Sequence, residues 1–292
     1  MTSPRCPRIR WVLAVLLSAP GAQAGSAQLN ADFSATVDDA GGHSIDADFS
    51  FSPTERLSFN LGGGQSTGAD DAANLRGTLL NAGVSLHGDR AGAALSYDRF
   101  DDGSNYRSST FGGRLSMTAG DFEISLLGRR REISVELTLD LPNRTLNRSV
   151  DFAAVGGGLQ LVFSHGNFSG YAMGLMYDYD DDFDDFLALA QSPQLAERPL
   201  IEALVGSIVT QAQGAIDRQF GAGVERTFGR HAVGLDVSSV RDAIDGTTGT
   251  SVGLSWRYAQ SAHLAWTLSG GMIDSDRYGN LRFVGVSVGI GN

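Results

Sequence analysis

No stretch of this 292-residue chain is apolar for the roughly 20 residues that a membrane-spanning helix requires, so helical integration into a bilayer is excluded. Cysteine is almost absent. The only one, Cys6, lies in a segment read below as a removable leader, which leaves a mature chain with neither a disulfide framework nor a thiolate metal site. Lysine is missing altogether, and all 22 basic residues are arginine. Arginine can snorkel its guanidinium to a membrane boundary or fork onto phosphate or carboxylate. Positive charge is scarce too: 33 Asp and Glu outweigh those arginines to give a net charge of −11. An acidic chain without a basic patch argues against nucleic acid as a partner. Proline is rare at 7 residues, whereas glycine reaches 38. A hydrophobic fraction of 42% is too polar for a helical membrane protein and suits a sheet protein with a wet interior.

Residues 1–24 read as a secretory leader. Arg5, Arg8 and Arg10 form a charged start, Trp11 to Leu17 an apolar stretch, and Ala22-Gln23-Ala24 a small-residue cleavage site. The remainder, 25–292, alternates apolar side chains with polar or tiny ones. At the C-terminus Val284, Val286, Val288 and Ile290 share one parity, with Gly285, Ser287 and Gly289 on the other. Successive strand residues point to opposite faces. A closed sheet that repeats this pattern can turn its apolar face outward into lipid.

Fourteen such segments run from about 28–38 to about 281–291, an even number, as single-chain bacterial barrels require. Six connections are short and built of turn residues, such as Ala119-Gly120-Asp121, His165-Gly166-Asn167 and Gly229-Arg230-His231. The others are longer and mostly acidic. Barrels keep short turns in the periplasm and long loops outside. Phe51, Phe122, Phe163, Phe168, Phe228, Tyr258 and Trp266 near the short turns, with Tyr97, Tyr177 and Tyr179 near the long loops, read as two aromatic girdles. One region breaks the pattern. Between Phe122, Ile124, Leu126 and Ile133, Val135, Leu137 the apolar parity switches, with Gly128-Arg129-Arg130-Arg131 at the switch. A β-bulge inserts one residue and predicts that flip. Alternatively the arginines make a turn, which leaves twelve or sixteen strands open.

With this organisation, 25–292 resembles the Gram-negative outer-membrane β-barrel proteins, the porin-like group. Its sharpest match is the last strand, whose alternating Val284, Val286, Val288 and Ile290 resemble the signal read by the barrel assembly machinery. Asn292 stands where such chains usually end in an aromatic residue. The resemblance implies an all-β fold, a transmembrane up-and-down antiparallel β-barrel of about fourteen strands. It also implies residence in the outer membrane after leader removal, among lipopolysaccharide.

The parity set places Asp32, Asp46, Asp48, Asn60, Asn81, Arg114, Glu225, Asp236 and Arg257 in the lumen, with glycines such as Gly62, Gly83, Gly112 and Gly174 leaving space there. Acidic groups around a pore favour cations. The longest connection holds six acids in the eight residues Asp178 to Asp185. Oxygen-rich clusters suit Ca2+ or Mg2+, so Asp178, Asp180, Asp182 and Asp184 are candidate ligands, although the spacing is not that of an EF-hand. The insert, about 181–213, then places Leu200, Ile201, Leu204, Val205 and Ile208 at helical spacing behind Pro199. Such a long loop with its own helix is a candidate lid over the mouth.

No catalytic constellation stands out. His87, His165, His231 and His263 fall at short turns, and only His43 with Ser44 offers a loose pair. There is no G-x-S-x-G elbow. These features predict a porin-like passive channel for small solutes or cations, gated or narrowed by the insert. The alternatives are a non-conducting surface barrel whose acidic loops bind cations, lipopolysaccharide or another cell, and a lipid-modifying barrel enzyme. No cofactor is expected beyond a cation at the acidic loop.

Overall fold

A computed structural model of the chain describes residues 27–67, 76–103, 106–141, 144–180, 183, 215–244, 246–276 and 279–291. The expected leader and lid helix lie outside them. Period-two alternation becomes fourteen strands: β1 (Gln28–Asp38), β2 (His43–Thr54), β3 (Leu57–Thr67), β4 (Arg76–His87), β5 (Ala91–Asp101), β6 (Tyr106–Ala119), β7 (Phe122–Leu141), β8 (Arg144–His165), β9 (Phe168–Tyr179), β10 (Ile216–Phe228), β11 (His231–Asp242), β12 (Thr248–Ala259), β13 (Leu264–Ser275) and β14 (Gly279–Gly291). Every strand pairs antiparallel with its sequence neighbours, and β1 closes the barrel against β14. Closure removes the two free edges that an open sheet would expose.

The short turns follow from local chemistry. Two-residue hairpins need φ > 0 at their first central position, where glycine costs least. Gly120, Gly166 and Gly229 occupy that position, with φ of 61°, 60° and 60°. A row of aromatics surrounds this end. Phe163 lies 6.5 Å from Phe122 and 5.4 Å from Phe168, and His231 stacks on Trp256 and Tyr258.

The outer face carries the apolar set. Leu95, Leu115, Met117 and Val155 are more than 60% exposed, and each strand repeats the pattern with residues such as Phe49, Leu61, Leu254 and Val286. Leaving one such side chain in water forfeits roughly 1.5–3 kcal/mol, so a continuous band of them specifies a hydrocarbon surrounding. The band ends toward the long connections in charged residues, among them Arg99, Arg130 and Asp178.

Strand β7 corrects the expected bulge. Its register is unbroken against β6 from Ala119/Phe122 to Tyr106/Val135, and against β8 from Phe122/Phe163 to Leu141/Arg144. Without an inserted residue, Ile133 and Val135 face inward while Phe122, Ile124 and Leu126 face lipid. Both are almost completely buried, packed with Phe100, Tyr106, Phe152, Phe183 and Ala215 in a hydrophobic core inside the barrel, at the end of the long connections. The apolar parity switches because the lumen changes character there. Register irregularities occur instead at Phe51/Thr54 and Ile216/Arg218.

Register also corrects the upper girdle. Tyr177 and Tyr179 share the inward parity of β9, and Tyr177 belongs to a second buried cluster with Ala154, Leu175 and Ile216. Tyr97 stays outside, 4.8 Å from Phe111. Gly174 faces lipid beside Phe220 rather than the lumen.

Candidate functional site: the barrel lumen

Inward residues line up in oblique rows across hydrogen-bonded partners. One row runs Asp32, Asp48, Gly62, Asn81, Asp98, Thr110, Arg131, Ala154, Tyr179. The next, toward the long connections, runs Ser34, Asp46, Gly64, Leu79, Phe100, Ser108, Ile133, Phe152. Each begins acidic on β1–β2 and ends aromatic on β8–β9. The lumen therefore has a polar wall and an apolar wall, a division spread over nine strands.

On the polar wall the side chains lie along the sheet. Asn81 Nδ2 donates to Asp48 Oδ1 at 3.2 Å, passing over Gly62, where a Cβ would collide with the Asp48 carboxylate and sit 2.7 Å from the Asn81 amide. Ser34 and Ser44 both donate to Asp46 at 3.4 Å. Tyr171 donates to Asp236 at 3.1 Å across Gly223 in the same manner. The space offered by these glycines is thus taken by neighbouring side chains, which keeps their polar atoms close to the wall. Along the wall of β10–β12, Arg257 Nη2 donates to Glu225 Oε1 at 3.1 Å over β11. Among the described residues Asp32, Asp46 and Asp48 form no ion pair, although Asp32 and Asp48 face each other across β1–β2. Like charges opposite one another cost stability.

All nine residues expected in the lumen carry the inward parity. Asp32, Asp48 and Asn60, with Asn30, Ser50 and Arg257, line a cavity of about 530 Å³ at the short-turn end. Arg114, paired with Ala94 and Leu127, lies on the opposite side of the barrel. Sequence reasoning missed Arg129 and Arg131, which the unbroken β7 register turns inward. Arg131 is 2% exposed, donates to Thr110 Oγ1 at 3.1 Å and holds its guanidinium 5.2 Å from the Tyr177 ring centre. Cation–π contact and hydrogen bonding are what such a buried charge requires.

Near the long connections, the β5–β8 side of the lumen carries the apolar core. Phe183, the one described residue of the insert, stacks 4.2 Å from Tyr179 and 5.0 Å from Phe152. Tyr179 donates to the Ile216 carbonyl at 2.9 Å, tying β9 to β10 across the root of the insert. Two of the four candidate cation ligands are described. Asp178 points outward from β9, and Asp180 accepts the Ala153 amide at 2.8 Å. Asp182 and Asp184, like Leu200, Ile201, Leu204, Val205 and Ile208, lie outside the described residues. Among the described residues no group of three acids or histidines could hold a metal ion. His43 and Ser44, as successive strand residues, point to opposite faces. His165 bonds Asp121 at 2.8 Å, and His87 bonds Ser85 at 2.9 Å.

Comparison with known proteins places this geometry by fold alone. No family profile matches the chain, and no curated protein is similar to it in sequence. Among solved structures it is similar to a loop-deletion mutant of OmpT, an outer membrane protein of Vibrio cholerae, at 8% identity over 91% of this chain and 98% of that one, with a TM-score of 0.50. It also aligns with the CymD monoaromatic hydrocarbon channel (10% identity, 92% and 88% covered, TM-score 0.49) and with OpdL of Pseudomonas aeruginosa (12%, 91% and 98%, 0.45). The fold is that of the Gram-negative outer-membrane β-barrels.

Proposed function

We propose that this chain is an outer-membrane channel for small solutes, with a preference for cations, narrowed at its outer end by the aromatic plug into which Phe183 reaches. The observation that carries this is the polarity of the barrel: an apolar outer band around a lumen with a polar wall and a cavity of about 530 Å³. Cation preference rests on Asp32, Asp46 and Asp48, whose charges no arginine offsets within ion-pair distance among the described residues. The leader would be removed in the periplasm, and the assembly machinery would insert the barrel with its short turns inward and its long connections outside. The insert 181–213 would gate or narrow the mouth.

The packed plug also supports a non-conducting surface barrel whose acidic loops bind cations, lipopolysaccharide or another cell. A lipid-modifying enzyme has less support, because His43 and Ser44 diverge. Planar-bilayer recording decides between the first two. A channel shows discrete conductance steps and a cation-selective reversal potential that falls in Asp32→Asn/Asp48→Asn. A bilayer that stays sealed with both the full protein and a 181–213 deletion rejects conduction.

A further inference from the structure

Strands β7 and β8 outrun their neighbours. They hold 20 and 22 residues, against 14 in β6 and 12 in β9. Their ladder runs on from Val135/Val150 to Leu141/Arg144, whereas β6 ends its pairing with β7 at Tyr106/Val135. There the chain turns back to β5, with the Asp102 N–H donating to the Tyr106 carbonyl at 3.0 Å. Residues 136–141 of β7 thus continue for about 20 Å along the strand past the end of β6. Among the described residues no strand lies on their β6 side.

On the β8 side the root of the insert lies instead. Asp180 donates its N–H to the Ala153 carbonyl at 3.0 Å and accepts the Ala153 N–H on its carboxylate at 2.8 Å. Ala153 therefore uses its backbone groups toward β9, and its cross-strand partner Glu132 turns its own toward β6. By the two-residue period the backbones of Glu136, Thr138 and Asp140 do the same. Their N–H and C=O groups form an open edge, the template for strand addition. A two-stranded ribbon is marginal in water, and a third strand supplies what it lacks.

The outward face at the foot of this edge is acidic. Arg107 is held by Asp101 and Arg130 by Glu132, each at 3.2 Å, while Glu136, Asp151 and Asp178 have no arginine within ion-pair distance among the described residues. A hollow of about 410 Å³ opens between Glu132, Asp151 and Asp180, over the small residues Ser134 and Ala153, with Arg107 at its border. Ser134 lies two residues, about 7 Å, below Glu136, within reach of a long basic side chain from a strand beside the edge. The stretch 136–141 itself contains two acids and no basic residue. Two copies pairing edge to edge would set acid against acid, which costs stability.

We propose that this edge docks an extended, basic segment of another protein, which joins β7 as a third strand and places an arginine or lysine in the acidic hollow. Main-chain hydrogen bonds supply the affinity, and the carboxylates select the sequence. The inference goes beyond the channel reading and stands whether or not the barrel conducts.

The test is fluorescence anisotropy of a labelled peptide of about ten residues alternating arginine and valine, titrated with the full protein in detergent. It should bind, and the same peptide with glutamate in place of arginine should not. Thr138→Pro removes one edge N–H that the β7–β8 ladder does not use, and Glu132→Gln/Asp151→Asn removes charge from the hollow. Each should weaken binding about tenfold. Affinity unchanged by Thr138→Pro means attraction by charge alone and overturns strand addition. Affinity unchanged by Glu132→Gln/Asp151→Asn overturns the hollow, and no binding to the wild type overturns both. Should Thr138→Pro disturb the hairpin, the arginine peptide N-methylated at alternate residues, in both registers, decides, because it removes main-chain donors and leaves the protein unaltered; equal affinity rejects the edge. Amides of Glu136, Thr138 and Asp140 that resist hydrogen exchange in the protein alone would show the edge covered by its own chain, and overturn the proposal as well.

Discussion

Phe183→Ala isolates the contact that joins the insert to the lumen. The Phe183 ring is 5% exposed, lies against Phe152 and Tyr179, and belongs to the core of Ile133, Val135, Phe100 and Tyr106. Truncating a buried phenylalanine to alanine costs about 3–5 kcal/mol. Phe183 stands outside the fourteen strands, so the loss falls on the attachment of the connection to the plug and not on the hydrogen-bonded wall. A loss of about 3 kcal/mol shifts a closed-to-open ratio on the order of a hundredfold. A plug closed for all but about 1% of the time would then be open for roughly half of it. Single-channel recording at fixed voltage reads this directly as a rise in open probability or in the conductance of the largest level. The thermal stability of the barrel should change little, because no strand pair is broken. Recordings indistinguishable from wild type would refute the idea that Phe183 holds the constriction. A large fall in barrel stability would show instead that the plug is part of the barrel's folding core.

Four further outcomes follow from the register and the wall. With Cys6 as the only native cysteine, Glu132→Cys should react with a polar maleimide in detergent and Ile133→Cys should not; a bulge in β7 would reverse the two. Gly62→Val should destabilise the barrel by about 1–3 kcal/mol through collision with Asp48 and Asn81, seen as a lower melting transition, and Asn81→Ala should restore part of it. Gly128→Val, facing open space, should leave the same transition within about 0.5 kcal/mol. Leu95→Arg, in the middle of the outer band, should cost about 2–4 kcal/mol in refolding into lipid vesicles, and a neutral result would place Leu95 away from hydrocarbon.

Much of the barrel is legible in the sequence because its signals are local. Alternation over Val284 to Ile290 marks a strand with one apolar face wherever that strand sits. Glycine at the first position of the tight turns 120, 166 and 229 sets hairpin geometry without reference to any neighbour. A count of about fourteen strands and their order follow from such segments, and the β7 register removes the alternatives of twelve or sixteen. All nine candidate lumen residues face inward for the same reason, since on those strands polarity and direction agree. Asp98 and Asn81 show the limit of this. Their parity is local information, whereas their place in one row with Asp48 and Arg131 is a property of the closed sheet.

Sequence alone determined a closed antiparallel sheet with hydrocarbon outside, because a two-residue period, turn glycines and an even strand count are written along the chain. Only the tertiary structure decided which face Ile133, Val135, Tyr177 and Tyr179 take, since at that end of β7–β9 polarity is inverted, with Arg130, Glu132 and Asp178 outward and apolar side chains inward. There the direction of a side chain is set by hydrogen-bond register with the neighbouring strands. That register turned an expected bulge and part of an aromatic girdle into buried apolar clusters inside the barrel.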